Sequence, residues 1–285
     1  MTDTLLKIAV PNKGSLAQAA TTMLSSAGYR QRNDPKDLTL IDAEHGVEFY
    51  YLRPRDIAVY VGRGQLDVGI TGRDMLLDSR ADADEIMALG FGASRFRFAA
   101  PKGTNYQLAD LQGKRIASSY PGLLGDYLAE RGIESELVNL DGAVESAIRL
   151  GVADVVADVV DTGTTLKKAG LELFGDPICH SEAVVIRRRG AGELAGTNGL
   201  LTRLSSVLVA QSRLMLDYNV EEKNLPQTVA LAPGVEGPTI SSLSVEGWVA
   251  VRVLVPKVGA HRLMDDLWES GARSIILSEL AACRF

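Results

Sequence analysis

The chain has 285 residues, 46% of them hydrophobic and 6% aromatic, with 28 glycines and a formal net charge of −6. That length and apolar content are enough for two or three well-buried compact units, and the glycine-rich, aromatic-poor balance suits α/β packing with many tight strand-to-helix turns. The negative charge argues against a nucleic-acid or anionic-membrane partner, so a phosphorylated substrate must meet locally clustered Lys and Arg or arrive with a divalent cation. The amino terminus lacks a basic, apolar leader and no run approaches the ~20 apolar residues of a membrane span, which points to a cytoplasmic protein. Cys179 and Cys283 read as two reduced thiols, and His45, His180 and His261 are too scattered for a histidine-built zinc site.

Leu5 to Val10 reads as a strand and Ser15 to Ala27 as a helix closed by Gly28. Leu38 to Asp42 and Val47 to Leu52 flank Ala43-Glu44-His45-Gly46, an antiparallel hairpin whose turn His45 decorates. Gly64-Gln65-Leu66-Asp67-Val68 then recurs as Gly151-Val152-Ala153-Asp154-Val155, a G-x-x-D-V at a helix-to-strand junction in each half. Upstream, Lys7-Ile8-Ala9 matches Lys114-Arg115-Ile116-Ala117, each opening a strand that runs to a Pro-containing loop. The repeat predicts two α/β lobes facing each other, with ligands at the carboxyl ends of the strands and hence in the cleft. Lys13, Arg53, Asp74, Tyr120 and the 158–166 turn all follow strands and fall to that cleft. Arg53-Pro54-Arg55-Asp56 and Gly72-Arg73-Asp74 supply the cations that a diphosphate needs.

Val155 to Val160 has the short, β-branched composition of a buried parallel strand, and Leu166-Lys167-Lys168-Ala169 begins a helix. Between them Asp161, Thr162, Gly163, Thr164 and Thr165 form an acidic, hydroxyl-rich turn. Gly163 permits the sharp bend, the turn's amides point toward an anion, and the threonines add hydroxyl donors. Asp158, at the strand's end, sits where an acid accepts hydrogen bonds from ribose hydroxyls, by analogy with dinucleotide folds. The competing reading is a capped corner joining any strand to any helix. A nucleoside-triphosphate loop is excluded, because the turn lacks the second glycine and the lysine of that pattern.

Arg187-Arg188-Arg189-Gly190-Ala191-Gly192 reads as an exposed connection, and Leu200 to Leu214 has helical periodicity. Leu214 to Asn219, Thr239 to Leu243, Trp248 to Val255 and Ser274 to Leu280 read as strands, with helices near 221–231 and 259–270. That is a βαββαβ order, a small ferredoxin-like module, in which Pro226 would interrupt the first helix. By fold analogy such a module serves ligand sensing or assembly.

The segment Glu145-Ser-Ala-Ile-Arg-Leu-Gly151-Val-Ala-Asp-Val-Val-Ala-Asp158-Val-Val-Asp-Thr162-Gly-Thr-Thr-Leu166 resembles the signature of the ATP phosphoribosyltransferases. Pro11-Asn12-Lys13-Gly14, Leu52-Arg53-Pro54, the 67–74 stretch and the segment from Pro233 to Thr239 are similar to that family too, so the likeness spans nearly the full chain. The resemblance implies two periplasmic-binding-protein-like α/β lobes with a cleft, plus a C-terminal ferredoxin-like regulatory domain of the family's long form. The boundaries are then 1–92 with 187–213 for the first lobe, 93–186 for the second, and 214–285 for the regulatory domain. It implies a reaction in which N1 of the ATP adenine attacks C1 of phosphoribosyl pyrophosphate and pyrophosphate leaves with Mg2+, opening histidine biosynthesis. An oxocarbenium-like centre needs little covalent help, so such catalysis rests on positioning and on stabilising the departing diphosphate.

By the same resemblance, Asp161, Thr162, Gly163, Thr164 and Thr165 hold the 5-phosphate and Asp158 the ribose hydroxyls. Lys13, Arg53 and Arg73 bind phosphates or pyrophosphate, Tyr120 stacks on adenine, and Asp74 lies beside the nucleotide. Glu145 meets the adenine amino group, either as a base or as an orienting group. Histidine, as feedback inhibitor, maps to Asn219, Val235, Thr239 and Ser274, where some relatives carry Asp in place of Asn219 and Ala in place of Ser274. The implied assembly is a homodimer that becomes a hexamer when inhibited. Two other classes compete: an orotate- or purine-type phosphoribosyltransferase, whose loop usually shows two adjacent acids where Ala157-Asp158 has one, and a bilobal small-ligand receptor, which would usually be exported.

Overall fold

The structure is a computed structural model describing residues 5–160, 163–192 and 194–284; the candidates Asp161 and Thr162 lie outside the described residues. The chain divides into two compact units, Met1–Ser25 with Tyr29–Asn198, and Ser26–Gly28 with Gly199–Phe285.

The larger unit holds two lobes, each built on its own sheet. The first runs β1 (Leu6–Pro11), α1 (Ser15–Ser26), β2 (Thr39–Asp42), β3 (Val47–Leu52), α2 (Pro54–Gly62), β4 (Val68–Gly72), α3 (Arg73–Ser79) and β5 (Ala83–Ala88). The second runs β6 (Ser94–Pro101), β7 (Arg115–Ser118), α4 (Pro121–Ala129), β8 (Glu136–Asn139), α5 (Ser146–Arg149), β9 (Val155–Val160), α6 (Thr164–Lys168) and β10 (Leu171–Ser181). The chain then returns through β11 (Ala183–Arg188) to the first sheet, between β4 and β5. The sheet orders are β2-β3-β1-β4-β11-β5 and β10-β6-β9-β7-β8. The return to the first lobe therefore falls at Glu182, earlier than residue 187, because Ala183–Arg188 pairs antiparallel with both β4 and β5. Arg187 and Arg188 accordingly close a strand, and only the residues after them form the connection.

The central strand β1 lies parallel to both β3 and β4, and β7 lies parallel to both β8 and β9. Strands flanked this way are covered on both faces and read as nearly unbroken apolar runs. Ile8, Ala9 and Val10 of β1 are fully buried, as are Ile116 and Ala117 of β7; Val155, Val156 and Ala157 of β9 are buried too, although that strand, expected to be parallel, runs parallel to β7 but antiparallel to β6. In the first lobe Ile57, Ala58 and Val61 of α2 pack on Ala9, Val184 and Ile186. In the second, Leu123, Leu124 and Leu128 of α4 cover Phe96, Phe98 and Ile116.

The G-x-x-D-V repeat has a physical basis that the two lobes share. The Asp67 carboxylate accepts the Lys7 amide at 2.8 Å while the Asp67 amide donates to the Lys7 carbonyl at 3.0 Å. Asp154 does the same for Arg115, at 3.0 Å and 2.9 Å. In each lobe the aspartate ties the start of one parallel strand to the start of its neighbour, which fixes their register. The Arg115 guanidinium adds a 2.8 Å bond to Asp154, and that hydrogen bond foremost holds the carboxyl below its ordinary range.

The smaller unit contains α7 (Thr197–Gln211), β12 (Arg213–Glu221), α8 (Leu225–Leu231), β13 (Thr239–Ser242), β14 (Trp248–Pro256), α9 (Ala260–Glu269) and β15 (Arg273–Glu279). Its four antiparallel strands take the order β13-β14-β12-β15, the arrangement of a ferredoxin-like module. Residues 199–213 group with this sheet and not with the first lobe. Leu214 belongs to β12, not to the preceding helix, because its neighbour Arg213 already pairs with Pro256. Pro226 does not interrupt α8: it sits in the helix's first turn, where a missing N–H leaves no bond unmade. Along β12 the even residues Leu214, Leu216, Tyr218 and Val220 are buried, and the odd ones between them lie on the opposite face.

Candidate active site

The two chain crossings between the lobes are short and hydrogen-bonded. The Leu89 amide donates to the Ala183 carbonyl at 2.9 Å, and the Ala183 amide to the Phe91 carbonyl at 2.8 Å. Between the lobes lies a cavity of about 280 Å³ lined by Ser15, Gly72 and Asp74 from the first lobe and Ser94, Tyr120 and Val159 from the second. It opens at the carboxyl ends of β4, β7 and β9, the end where ligands bind in sheets of this type.

Asp74 is the buried charge of this cavity, with 4% of its surface exposed. Ser181, at the end of β10, bridges it: the Ser181 hydroxyl donates to Asp74 Oδ1 at 2.8 Å and accepts the Asp74 amide at 3.0 Å. The serine thus joins the second lobe's last strand to the first turn of α3. Ser181→Ala would leave a buried carboxylate short of a donor. A loss of about 2 kcal/mol is expected, read as a fall in Tm of about 4–8 °C; an unchanged melt would mean the bridge does not form.

Tyr120 brings its phenol to Asp74 from the other lobe. Burial, and then the nearby Asp74 charge, push that phenol well above its ordinary value. The ring packs 5.3 Å from Phe96, with the Arg55 guanidinium 4.3 Å from its centre. Tyr120 is therefore built into the second lobe's core as well as into the cavity wall. Asp158 is half-buried and lies inside β9, not at the strand's end as expected, because Val159 and Val160 continue the pairing with β6. Its carboxylate accepts its neighbour Val159's amide at 2.8 Å. Burial raises the Asp158 pKa, the Val159 amide and Arg55 oppose the rise, and Glu145 and Asp74 add to it. So Asp158, Glu145, Asp74, Tyr120 and Arg55 form one electrostatic neighbourhood. Gly163 takes a left-handed backbone, φ 71°, at the cap of α6, and the Thr164 and Thr165 side chains are exposed.

The predicted cations are distributed differently. Lys13 and Arg53 are exposed on the loops after β1 and β3, Arg53 as the residue before the first turn of α2. Arg73 is committed elsewhere: its guanidinium binds Glu85 at 2.7 Å and Glu182 at 3.2 Å and reaches the His180 carbonyl. The bond to Glu85 above all raises its pKa. Arg55 and Ser181 are the cavity's neighbours that sequence reasoning did not single out. Arg55 stood in the quoted R-P-R-D run; Ser181 carries no local signal, since its partner is 107 residues away.

In the smaller unit, a depression of about 330 Å³ lies on one face of the sheet, with Asn219, Thr239, Ser274 and the ion-paired Asp217 and Arg252 among its lining. Val235 is exposed on the connection before β13 and is not part of that lining. Ser274 holds φ 51°, an unusual conformation for a residue with a side chain, beside the register shift between Asp217 and Asn219.

A cleft between two α/β lobes, a glycine turn after the Asp158-bearing strand β9, and an appended ferredoxin-like unit are the features expected of a phosphoribosyl-transferring enzyme with a C-terminal domain. The family model described as ATP phosphoribosyltransferase matches residues 53–207, and the model described as HisG, C-terminal domain, matches residues 210–282. An ATP phosphoribosyltransferase of Pseudarthrobacter chlorophenolicus is 56% identical over 283 residues, covering 98% of this chain and all of that protein. One of Corynebacterium aurimucosum is 57% identical over 281 residues, covering 99% of this chain and again the whole relative. The solved ATP phosphoribosyl transferase (HisG:HisZ) complex of Thermotoga maritima includes a chain 26% identical with a TM-score of 0.61, covering 70% of this chain and 97% of that one. The chain belongs to the ATP phosphoribosyltransferase family, in its long form with the C-terminal domain, and catalyses the ATP phosphoribosyl transfer of histidine biosynthesis.

Proposed function

We propose that the transfer takes place in the cleft between the lobes, with phosphoribosyl pyrophosphate gripped by the 158–165 turn and ATP on the Asp74 and Tyr120 side. The observation that carries this reading is a cavity lined by Asp74 from one lobe and by Tyr120 and Val159 from the other, with Asp158 next to Val159 and near enough to Asp74 and Glu145 for their charges to raise its pKa. In that arrangement the backbone and threonines of the turn hold the 5-phosphate and Asp158 accepts the ribose hydroxyls. Lys13 and Arg53, both exposed on loops after strands, take the diphosphate and offset its charge as the bond to C1 breaks. Glu145 orients the adenine amino group or takes a proton from it. Arg73 serves the first lobe's own architecture more than an anion, since two carboxylates already meet it.

Mg2+ fits this site as a companion of the diphosphate. Among the described residues no three His, Cys, Asp or Glu side chains stand together as metal ligands. A hard cation carried on phosphate oxygens needs only one or two carboxylates, and Asp158 and Asp74 are of that type. When bound, the ion would neutralise charge on the leaving diphosphate. Among the described residues no helix is long and apolar enough to cross a membrane, and we read the enzyme as cytoplasmic. The test is direct: the protein is incubated with ATP, phosphoribosyl pyrophosphate and Mg2+ and pyrophosphate release is followed. Absence of turnover would sink the cleft reading.

Histidine inhibition acts, in our reading, at the depression formed by Asn219, Thr239 and Ser274, with Val235 reaching it only if the connection before β13 closes over the ligand. The strained Ser274 backbone supports a binding role there. The family's dimer, converted to a hexamer by the inhibitor, is the assembly we expect. Thr239→Ala removes one hydroxyl partner and is expected to raise the histidine concentration for half-inhibition about tenfold. An unchanged value would move the effector site elsewhere.

A further inference from the structure

The two lobes also touch through α3 and α4, at a contact to which the reaction reading assigns no role. Asp78, near the end of α3, reaches into the second lobe. Its Oδ1 accepts the Gly122 amide at 2.9 Å and the Leu123 amide at 3.2 Å. The start of α4 has no side-chain cap from its own chain neighbourhood, so Asp78, 44 residues away, supplies it. Asp78 Oδ2 accepts Arg55 Nη1 at 3.1 Å, and that guanidinium lies over Tyr120. Arg80, with a left-handed backbone at φ 49°, binds Asp126 at 2.6 Å and 3.0 Å and donates to the Gly122 carbonyl at 3.2 Å. The contact leaves no room for a side chain: a Cβ on Gly122 would overlap the Asp78 carbonyl oxygen.

We propose that this Asp78–Gly122 clasp fixes the angle between the lobes and that Asp78 is a positioning residue for the transfer, acting through Arg55 and Tyr120 on the Asp74 side of the cavity. The inference rests on the reading that transfer occurs in the cleft. A reaction that depends on holding two substrates in line is sensitive to lobe angle, because displacements of about 1 Å cost as much as 10²-fold in rate. The cap and the Arg55 anchor share one carboxylate, so losing it loosens α4 and the Tyr120 cover together. The cap should matter more: it is directed at two backbone amides, whereas Arg55 is half exposed and its ion pair is screened by solvent.

The experiment measures kcat, KM for each substrate and Tm on the full-length enzyme. Asp78→Ala is expected to lower kcat about tenfold with each KM within about threefold. Asp78→Asn keeps the Oδ1 acceptor and is expected to recover most of that kcat. Gly122→Ala wedges the same contact from the other lobe while favouring the helix itself, and is expected to repeat the kcat loss. Wild-type kcat in either Asp78→Ala or Gly122→Ala overturns the clasp, as does an Asp78→Asn enzyme no better than Asp78→Ala. Should Asp78→Ala melt below the assay temperature, the Asp78→Asn and Gly122→Ala pair decides. A wild-type enzyme silent in the same assay overturns the cleft reading itself, and the clasp with it.

Discussion

Asp158→Asn is expected to lose about 10²-fold in kcat/KM for phosphoribosyl pyrophosphate, the magnitude of one or two charge-assisted hydrogen bonds, and yet to melt at a higher temperature than the parent at pH 8. The two effects have one cause. Burial raises the Asp158 pKa, with Glu145 and Asp74 adding to the rise, so the empty site holds a carboxylate that would be more stable in water. The sign follows from linkage. The folded pKa lies above the unfolded one, so the penalty is absent at low pH, where both forms are protonated. It develops as pH rises through the carboxylate range and is complete above the folded pKa. Asparagine keeps an acceptor for the Val159 amide and removes the charge. The expected gain is about 2–4 °C in Tm at pH 8, what ~1 kcal/mol gives a chain of this size class, and it should shrink toward pH 4. Melts of both proteins at the two pH values check the stability arm, and KM for each substrate checks the other. Equal weakening of ATP and phosphoribosyl pyrophosphate would argue against a ribose contact, and an unaltered melt at pH 8 would mean that the carboxylate is solvated. A residue that destabilises the empty enzyme and is needed by the loaded one marks a site held ready for its ligand.

Sequence pattern was most legible where a local physical rule decides the outcome. Val47–Leu52 and Val155–Val160 appear with the bounds expected from alternation and from a β-branched run. The G-x-x-D-V repeat was visible because the same carboxylate closes the same pair of strands in both lobes. The misreadings have local causes as well. Pro226 looked like a breaker because proline blocks helix interiors, but in a first turn its missing N–H does no harm. The periodicity that seemed to carry a helix to Leu214 was overruled by pairing of β12 with β14. Least legible were contacts between residues distant in sequence. Ser181 and Asp74 stand 107 positions apart, and Asp78 and Gly122 44, and no spacing rule connects either pair. The position of Tyr120 after a strand points to the cleft, but its burial against Phe96 depends on β6, and its cover by Arg55 on the other lobe. Arg73 reads as a cation for the diphosphate because Glu85 and Glu182, which bind it, are remote from it in the chain.

The turn after β9 permits a test that separates its backbone from its side chains. Gly163 sits at φ 71°, and a Cβ there would meet only ordinary contacts, Val160 Cγ1 at 3.6 Å and Leu173 Cδ1 at 3.9 Å. Space is therefore available, and conformation alone excludes most residues. A left-handed residue costs roughly 1–2 kcal/mol with an ordinary side chain and more with a β-branched one, whereas asparagine tolerates it. Gly163→Val should then either strain the turn or pull its amides out of line, and a loss of about 10²-fold in kcat/KM for phosphoribosyl pyrophosphate is expected, comparable to removing one directed donor. Gly163→Asn is expected to stay within about tenfold of the parent, because its side chain tolerates the left-handed backbone. Thr162→Ala, which deletes a hydroxyl and leaves the glycine alone, is expected to cost about 10²-fold as well. Equal losses for valine and asparagine would show that bulk over the phosphate matters and backbone geometry does not. If valine at 163 and alanine at 162 both kept the parent's rate, the segment would be only a corner between strand and helix, and the 5-phosphate would have to be held by Lys13, Arg53 or another cation of the cleft.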